Sequence, residues 1–181
     1  IFQNKNTKEI VSTIFQDLGF TDFKFRAAGG TSREYCIQHN ESDLHFVLRL
    51  LEEEGIAYYF KHEQNKHDLI IVDQKNAYDE FPETNLEYSN GTSPHAQITR
   101  WEHMHQFKKG QWSFADYNFK EPTKKLFSNT KTTSKFANNE KFEHYEYSGM
   151  YEPSLGNDLV RIRLESEEAE INTVVGTSDC S

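Results

Sequence analysis

The stretch that decides the fold runs from Arg33 to Phe60 and reads REYCIQHNESDLHFVLRLLEEEGIAYYF. Residues 35–38 combine aromatic and β-branched side chains, which favours a strand. Ser42 is suited to cap the helix that follows, and Asp43 places a negative charge in its first turn, where the helix dipole favours it. Gly55 stands where helices commonly end in a left-handed residue. The short aromatic run after it is typical of a strand, so the stretch predicts strand, helix and strand in that order.

The predicted helix needs neighbours to be stable. Four apolar side chains recur at helical spacing along it: Leu44, Val47, Leu48 and Leu51. Phe46 and Leu50 lie off this stripe and indicate that the helix buries more than one face. Burying three leucines stabilises by about 1.5–3 kcal/mol each, whereas ordering the backbone of residues 42–54 costs about 1–2 kcal/mol per residue. We therefore expect the helix to pack on a sheet.

The chain is acidic, and its charge is unevenly spread. A net charge of −9, from 20 basic and 29 acidic residues, disfavours non-specific nucleic-acid binding, which needs a basic surface. Residues 108–141 hold eight lysines and three acids, a local +5, whereas residues 143–181 hold nine acids and two arginines, a local −7. These segments, like the acidic helix end Glu52–Glu54, are either solvated surface or contacts that complement a partner across an interface.

Composition disfavours several classes of protein. The longest purely apolar run, residues 56–60, is far too short to span a membrane. The two cysteines, Cys36 and Cys180, make neither a disulfide framework nor a zinc pattern, and Cys36 is predicted to be a small buried residue of a strand. Because the chain lacks an initiator Met and Ile1 begins a segment that looks structured, we expect a piece of a longer protein.

The remaining sequence predicts one more helix and several strands. Asn6 to Glu9 has the pattern of a capping box and begins a helix that ends at Gly19. Residues 56–60 are expected to pair with residues 69–72 as a hairpin. Further strands are predicted from alternation or aromatic content at residues 20–26, 98–107, 111–119 (pairing back on 98–107 through a turn), 142–147, 159–165 and 171–175. The segment 159–165 is expected to continue into a helix through Glu168.

The sum is a mainly β chain with two short α-helices near its start. The long connection over residues 73–94 holds three turn or helix breakers: Pro82, Asn90-Gly91 and Pro94. Residues 127–140 are rich in Thr, Asn and Lys and are predicted to form a mobile loop. This content fits antiparallel β-barrels with inserted helices. We place a domain boundary between residues 1–92, which contain the helices, and residues 93–181.

A pair of histidines is the main candidate for a metal site. His103 and His105 are two residues apart on a predicted strand, so they share a face with Trp101. Two histidines on one face suit a transition metal, but no third ligand has a diagnostic spacing, and partly buried polar residues among aromatics are the alternative. His62 and His67 flank a turn and are predicted to be solvated.

Carboxylates and tyrosines are the candidates for carbohydrate chemistry. Glu143 and Glu146 flank a His-Tyr pair, but a glycosidase needs two carboxyls at a defined separation across a cleft. Tyr145, Tyr147 and Tyr151 carry rings that can stack on sugars, although aromatics in β proteins more often serve cores and interfaces. No nucleophile-elbow, phosphate-loop, dinucleotide or zinc-helix motif is present. The sequence therefore predicts no catalytic, cofactor-binding or metal site, and a protein that is not an enzyme.

Several segments, in one order along the chain, resemble one family. The opening stretch is joined by five others: Ile1-Phe2-Gln3-Asn4-Lys5, Ile98-Thr99-Arg100-Trp101, Asp116-Tyr117-Asn118-Phe119-Lys120-Glu121-Pro122, Tyr147-Ser148-Gly149-Met150-Tyr151 and Arg161-Ile162-Arg163-Leu164-Glu165. Ser148 stands where proline is usual. Together these segments resemble the VgrG spike proteins of type VI secretion systems, over nearly the whole chain.

This resemblance implies a fold of the phage baseplate hub type, with antiparallel β-barrel domains. Residues 1–92 would be the helix-containing part of the hub, whose hairpin completes or links the first barrel, and residues 93–181 the second barrel region. The resemblance also implies a structural role as a trimeric adaptor between the tube and the needle of the spike.

The implied partners are two more copies of the protein, the hexameric tube ring, and baseplate and effector proteins. The spike would assemble in the bacterial cytoplasm and then be injected, so that it meets a membrane only by puncture. A phage tail baseplate hub, or a glycan-binding or glycan-cleaving β module, are the alternatives.

Overall fold

The computed structural model of the chain describes residues 1–80, 86–89, 91, 97–147 and 154–179. The chain divides into two compact units, Ile1–Glu80 (unit 1) and Phe81–Ser181 (unit 2). The helices are α1 (Thr7–Asp17), α2 (Asp43–Glu53) and α3 (Gly156–Ala169). The strands are β1 (Phe2–Lys5), β2 (Phe23–Phe25), β3 (Arg33–Cys36), β4 (Ala57–Glu63), β5 (Lys66–Val72), β6 (Glu87–Tyr88), β7 (Gln97–His105), β8 (Gln111–Tyr117), β9 (Lys125–Lys131), β10 (Glu143–Tyr147) and β11 (Asn172–Ser178). None of the helices in the described residues is long and apolar enough to cross a bilayer.

Helix ends in unit 1 lie where their capping residues predict. The Asn6 side chain accepts from the Glu9 amide, and the Glu9 carboxylate accepts in return from the Asn6 amide at 2.8 Å. Ser42 Oγ accepts from the His45 amide at 3.2 Å at the start of α2. Gly55 follows α2 with a φ of 67°, which glycine adopts without strain. The predicted capping box, N-cap and glycine stop are confirmed.

The core of unit 1 lies between its two long helices and a three-stranded sheet. The sheet has the order β2–β5–β4, in which β4 and β5 form the predicted hairpin from Ala57↔Val72 to Glu63↔Lys66. Phe46 and Leu50 of α2 are fully buried, which confirms a second apolar face. Of the stripe predicted from helical spacing, Val47 and Leu51 are buried in this core, whereas Leu44 is 64% exposed.

The acidic end of α2 is partly neutralised by a neighbouring strand. Arg33 of β3 contacts the carboxylates of Glu53 at 2.6 Å and Glu54 at 2.9 Å. Arg49, one turn earlier in α2, also reaches Glu53 at 3.0 Å. Because these charges are paired within unit 1, they offer little to a partner, and Glu52 alone of the three remains a fully exposed acid.

Unit 2 combines a helix-backed sheet with an extended ribbon. One sheet has the order β10–β8–β9, and α3 packs against its inner face. The small core between them contains five buried side chains: Trp112, Phe114, Leu126, Val160 and Leu164. The other sheet has the order β11–β7–β6, with β7 and β11 antiparallel over most of their length.

The pairing predicted for β8 is wrong. In the structure β8 pairs antiparallel with β9 and parallel with β10, and β7 pairs with β11 and β6. The reason lies at Gly110, whose amide donates to Asn139 at 2.9 Å while its carbonyl accepts from Thr132 at 2.7 Å. These bonds turn the chain away from β7. Of residues 127–140, predicted as a mobile loop, 127–131 belong to β9 and Asn139 is fully buried, while 132–138 form neither strand nor helix.

The segment predicted as a strand at residues 159–165 is helical and belongs to α3. Val160 and Leu164 are buried one turn apart, and Arg161 contacts Glu165 at 3.0 Å in the same i,i+4 relation. The described residues are therefore mainly β and contain three α-helices, rather than the two predicted. Its described strands form small open sheets of two or three strands, and none of these closes into a barrel.

Some expectations fall outside the described residues. These are the breakers Pro82, Asn90 and Pro94, the loop Ser148–Tyr151 and Cys180. Residue 92, where we placed a domain boundary, is also outside, and the structure divides the chain after Glu80.

Candidate interaction surfaces

Unit 1 carries an open apolar groove of about 490 Å³ between α1, α2 and the β2–β5–β4 sheet. Its walls include six large apolar side chains: Phe15, Leu18, Leu44, Leu48, Tyr58 and Phe60. The stripe predicted on α2 thus lines this groove. A stripe of this kind normally packs against a neighbouring element, so the groove is an apolar face without a partner among the described residues.

Two aspartates lie at the rim of the groove. The Asp43 carboxylate accepts a hydrogen bond from Gln38 Nε2 at 2.7 Å. Asp22 Oδ1 lies 3.5 Å from the hydroxyl oxygen of Thr21, which precedes it in the chain. Neither makes a salt bridge within the described part of the chain. His67 also lines the groove, with its ring 6.2 Å from that of Phe60. The groove is therefore apolar inside and acidic at its edge.

A second surface is the outer face of the β10–β8–β9 sheet, which we call the aromatic face. Four of its side chains are more than half exposed: Tyr117, Phe127, Tyr145 and Tyr147. The register places Ala115 between Phe127 on one side and Tyr147 on the other. The outer face of a sheet is ordinarily polar, whereas aromatic rings are enriched at protein interfaces.

The turn between β8 and β9, residues 118–124, forms an ordered tip with an exposed ring. Phe119 is 76% exposed. The side chain of Asn118 accepts a hydrogen bond from the backbone amide of Lys120 at 3.0 Å. Its backbone carbonyl accepts another from the amide of Glu121 at 3.1 Å. Glu121 in turn contacts the Lys124 amine at 3.1 Å. The tip therefore presents an apolar side chain to solvent from a backbone held by local hydrogen bonds.

The ribbon of β7 and β11 is exposed on both faces. Trp101 and Val174 lie on one face and Met104 and Val175 on the other, each between 41% and 50% exposed. Two-stranded ribbons are marginally stable in water by themselves. The ribbon is therefore a third surface suited to contact.

The geometry of the two histidines on β7 does not favour a metal. Trp101 Nε1 donates to His103 Nε2 at 3.1 Å, which occupies the lone pair that a metal would need. The rings of His103 and His105 are 6.4 Å apart, and His105 stacks on Phe136. No group of three or more candidate ligands occurs among the residues described. His62 and His67 are exposed, as predicted.

The two candidate carboxylates lie on opposite faces of β10. Side chains three residues apart on a strand point to opposite sides, so Glu143 shares the aromatic face while Glu146 does not. Glu143 accepts hydrogen bonds from the Ser113 hydroxyl and the Gln111 side-chain amide. The pair cannot act across one cleft in this arrangement.

The structure brings Tyr145 and Tyr147 together and adds two rings that sequence reasoning missed. Tyr117 and Phe127 lie on the same face because β8 pairs with β9. The sequence alone did not reveal them, because it predicts that β8 pairs with β7. Tyr151 lies outside the described residues. Cys36 is buried as predicted, and this burial raises the pKa of its thiol.

Comparison with known proteins identifies the family. The family model described as phage tail baseplate hub (GPD) matches residues 1–181. The chain belongs to this baseplate hub family. It is 32% identical over 180 residues to the type VI secretion system spike protein VgrG1b of Pseudomonas aeruginosa, covering 96% of this chain and 24% of that protein. It is 29% identical over 184 residues to the actin cross-linking toxin VgrG1 of Vibrio cholerae, covering 99% of this chain and 17% of the toxin.

These relatives confirm the resemblance of this hub-family chain to VgrG spike proteins. The chain spans about a quarter or less of the length of these two relatives. One solved structure, a type VI secretion component of E. coli described as similar to T4 bacteriophage tail proteins gp27 and gp5, gives a TM-score of 0.48 at 23% identity. That match covers 59% of this chain and 29% of the solved one, and its score is too low to support a detailed fold comparison.

Proposed function

We propose that the chain is a structural segment of a type VI secretion spike, within the hub that joins the tube to the needle. The observation that carries this proposal is the family match over residues 1–181, together with relatives of spike type that align with 96% of the chain. No turnover is needed for such a role, and we propose that this segment is not an enzyme.

The mechanism is mechanical and depends on assembly. Three copies would form a ring that adapts a hexameric tube to a three-sided needle, with baseplate and effector proteins as further partners. An obligate ring of this kind buries on the order of 2,000 Å² or more at each interface. The exposed groove, aromatic face, tip and ribbon supply apolar surface of the sort that such interfaces cover.

The finer features of this proposal follow the family resemblance. The strands of residues 1–92 and 93–181 would complete barrels when neighbouring chain segments or copies add to their open edges. The spike would assemble in the bacterial cytoplasm and then be injected, crossing a membrane by puncture.

Light scattering and a secretion assay test the proposal together. We expect the full-length protein to have the mass of a trimer, and a strain that lacks these residues to lose release of the tube protein. The paired substitution Phe127→Ala and Tyr147→Ala on the aromatic face should reduce trimer formation. Tyr88→Ala, which removes another exposed ring, is the control. A monomer at high concentration, with normal secretion, would contradict the hub.

A glycan-binding module is the second candidate, because four exposed rings share the aromatic face. The opposite orientations of Glu143 and Glu146 argue against cleavage. If the face binds sugars, glycan-array signals should disappear in Tyr147→Ala. An array without signal for the unaltered chain would eliminate this candidate. A phage tail baseplate hub is an alternative that is closer to the proposed function than a glycan-binding module is. It would differ in the assembly that contains it rather than in its chemistry.

A further inference from the structure

We propose that the groove of unit 1 receives the β8–β9 tip of a neighbouring copy of this chain, with Phe119 inserted as its anchor. This inference rests on the proposed assembly into a ring and names the surfaces that make the contact. It commits to a second copy because the groove and the tip match in size, polarity and charge.

The groove has room for the tip. A cavity of about 150 Å³ lined by apolar side chains binds a benzene molecule, and the groove measures about 490 Å³. The groove can therefore hold the ring of Phe119 and still has room for an adjoining apolar group such as Pro122. Leu44, Leu48 and Phe60 would then contact an aromatic ring instead of solvent.

The tip is ordered before it binds. Its backbone is fixed by two successive turns, in which Glu121 donates to the Asn118 carbonyl at 3.1 Å and Lys124 donates to the Glu121 carbonyl at 3.0 Å. A backbone that is already held in turns loses less conformational entropy on binding than a flexible one. Buried aromatic anchors of this kind carry much of the affinity of protein interfaces.

The charges of the two surfaces are opposite. The groove rim carries Asp22 and Asp43, and the tip carries Lys120 and, at the start of β9, Lys125. None of these four makes a salt bridge within the described residues. Over larger segments, residues 1–80 hold nine basic and 14 acidic residues, a net −5, against the local +5 of residues 108–141. Attraction of this kind orients partners and speeds their encounter.

The contact also has the symmetry that a ring requires. The groove and the tip are different surfaces, so each copy offers one of each to its two neighbours. Such head-to-tail contacts close into rings when the rotation between copies permits. A contact made by one patch with its own copy would give a dimer instead.

A photo-cross-linking residue at position 119 tests the contact directly. Benzoylphenylalanine in place of Phe119 should link to residues of α2 or β4 that line the groove. Mixing ordinary and ¹⁵N-labelled chains shows whether the link joins two copies. A link within one chain, to another surface or to none would overturn the proposal.

Two single substitutions and a charge exchange measure the contact in solution. Phe119→Ala and Leu44→Asp should each weaken self-association by about 30-fold or more, as loss of an anchor does. Leu44 is exposed in the first turn of α2, so an aspartate there leaves the helix intact. Tyr88→Ala, which removes another exposed aromatic ring of unit 2, is the matched control.

Asp22→Lys and Lys120→Asp should each weaken association several-fold, and the double variant should restore it. Losses that simply add in the double variant would overturn the charge pairing and with it the contact. Association that persists in Phe119→Ala would overturn this contact but leave the proposed hub intact. A chain that forms no oligomer and no cross-link overturns both.

Discussion

The two units of the chain bury their apolar side chains to different extents. Within the described residues, unit 1 gathers eleven buried side chains into one core around α1, α2 and the hairpin, although it has only 80 residues. The helix-backed core of unit 2 contains five. Small domains are stabilised chiefly by the apolar surface that they bury. Unit 1 therefore has the larger core, whereas unit 2 keeps much of its apolar surface exposed.

The comparison also separates two kinds of apolar residue. In unit 1, five of the nine exposed large apolar side chains line one groove, whereas in unit 2 such side chains spread over the aromatic face, the tip and the ribbon. The first arrangement is suited to receive a side chain, and the second to present one. A chain with both is prepared for contacts between unlike surfaces.

Phe46→Ala should have the largest effect and break the core of unit 1. Phe46 is fully buried and stacks on Phe2 at 5.9 Å. Loss of a buried phenylalanine costs about 3–5 kcal/mol of unfolding free energy. Hydrogen exchange over residues 1–80 should show loss of protection there. Leu44→Ala on the exposed side of the same helix is the control, and an equal loss in both would contradict the burial of α2.

Gly110→Ala should destabilise unit 2 by about 1–3 kcal/mol, the range for overpacking. A Cβ at this position would lie 2.8 Å from the backbone of Asn139 and 2.6 Å from Thr132. Both tryptophans, Trp101 and Trp112, lie in unit 2, so denaturation followed by their fluorescence reports on this unit. Gly91→Ala, whose new methyl group would meet only Ser89 Oγ at 3.6 Å among described atoms, should be nearly neutral.

Gly55→Val should cost about 1 kcal/mol or more, because a β-branched residue is strained at positive φ. The φ of 67° at Gly55 ends α2 and directs the chain into β4. The measurement is the melting temperature, with Gly55→Asn as the milder comparison, since asparagine tolerates this region. An unchanged melting temperature for the valine variant would show that the helix stop is not needed.

Acid should weaken unit 1 through Asp79. Hydrogen bonding to Arg26, and then to Lys61, lowers the pKa of Asp79 from 3.8 to about 2. A carboxyl with a lowered pKa contributes stability above its unfolded pKa and loses it as the pH falls through the folded value. Stability should therefore fall between about pH 4 and pH 2, and Asp79→Asn should flatten this slope. Arg26→Gln should shift this loss of stability to higher pH. If neither substitution changes how stability depends on pH, the Arg26–Asp79 ion pair does not contribute to that dependence.

The smallest effect is expected at Phe127. Its neighbour Leu126 is buried against α3, whereas Phe127 is 53% exposed on the aromatic face. Phe127→Ala should change the stability of the isolated chain by no more than about 0.5 kcal/mol, while Leu126→Ala should cost about 2–5 kcal/mol. Tryptophan fluorescence measures both. A large loss at Phe127 would mean that the aromatic face stabilises the chain itself.

Local signals in the sequence predicted helix ends and the first hairpin correctly. The capping box at Asn6, the N-cap at Ser42 and the stop at Gly55 each depend on residues within one turn. The pairing of β8 was not predictable in this way, because its partners are set by Gly110 meeting the buried Asn139 far along the chain. Short-range patterns cannot report such a contact.

The third helix shows how one pattern can fit two structures. Alternation at residues 159–165 resembled a strand, but Val160 and Leu164 also recur one helical turn apart. Arg161 and Glu165 have the spacing of a helical ion pair and were the signal that was missed. Among the surfaces, the apolar stripe on α2 was visible in the sequence, although the exposure of Leu44 within it was not. The aromatic face depended on strand pairing and became apparent only in the structure.

The pairing of β7 with β11 has a consequence for force. The Gln97 amide donates to the Asp179 carboxylate and the Asp179 amide donates back to the Gln97 carbonyl, so the outer ends of the two strands lie side by side. Tension applied at those two ends would separate the antiparallel strands from that end onward, breaking their hydrogen bonds one pair at a time. If the chain is part of a spike, as proposed, a neighbouring copy that covered this ribbon would add mechanical resistance, because the load would then be shared between chains.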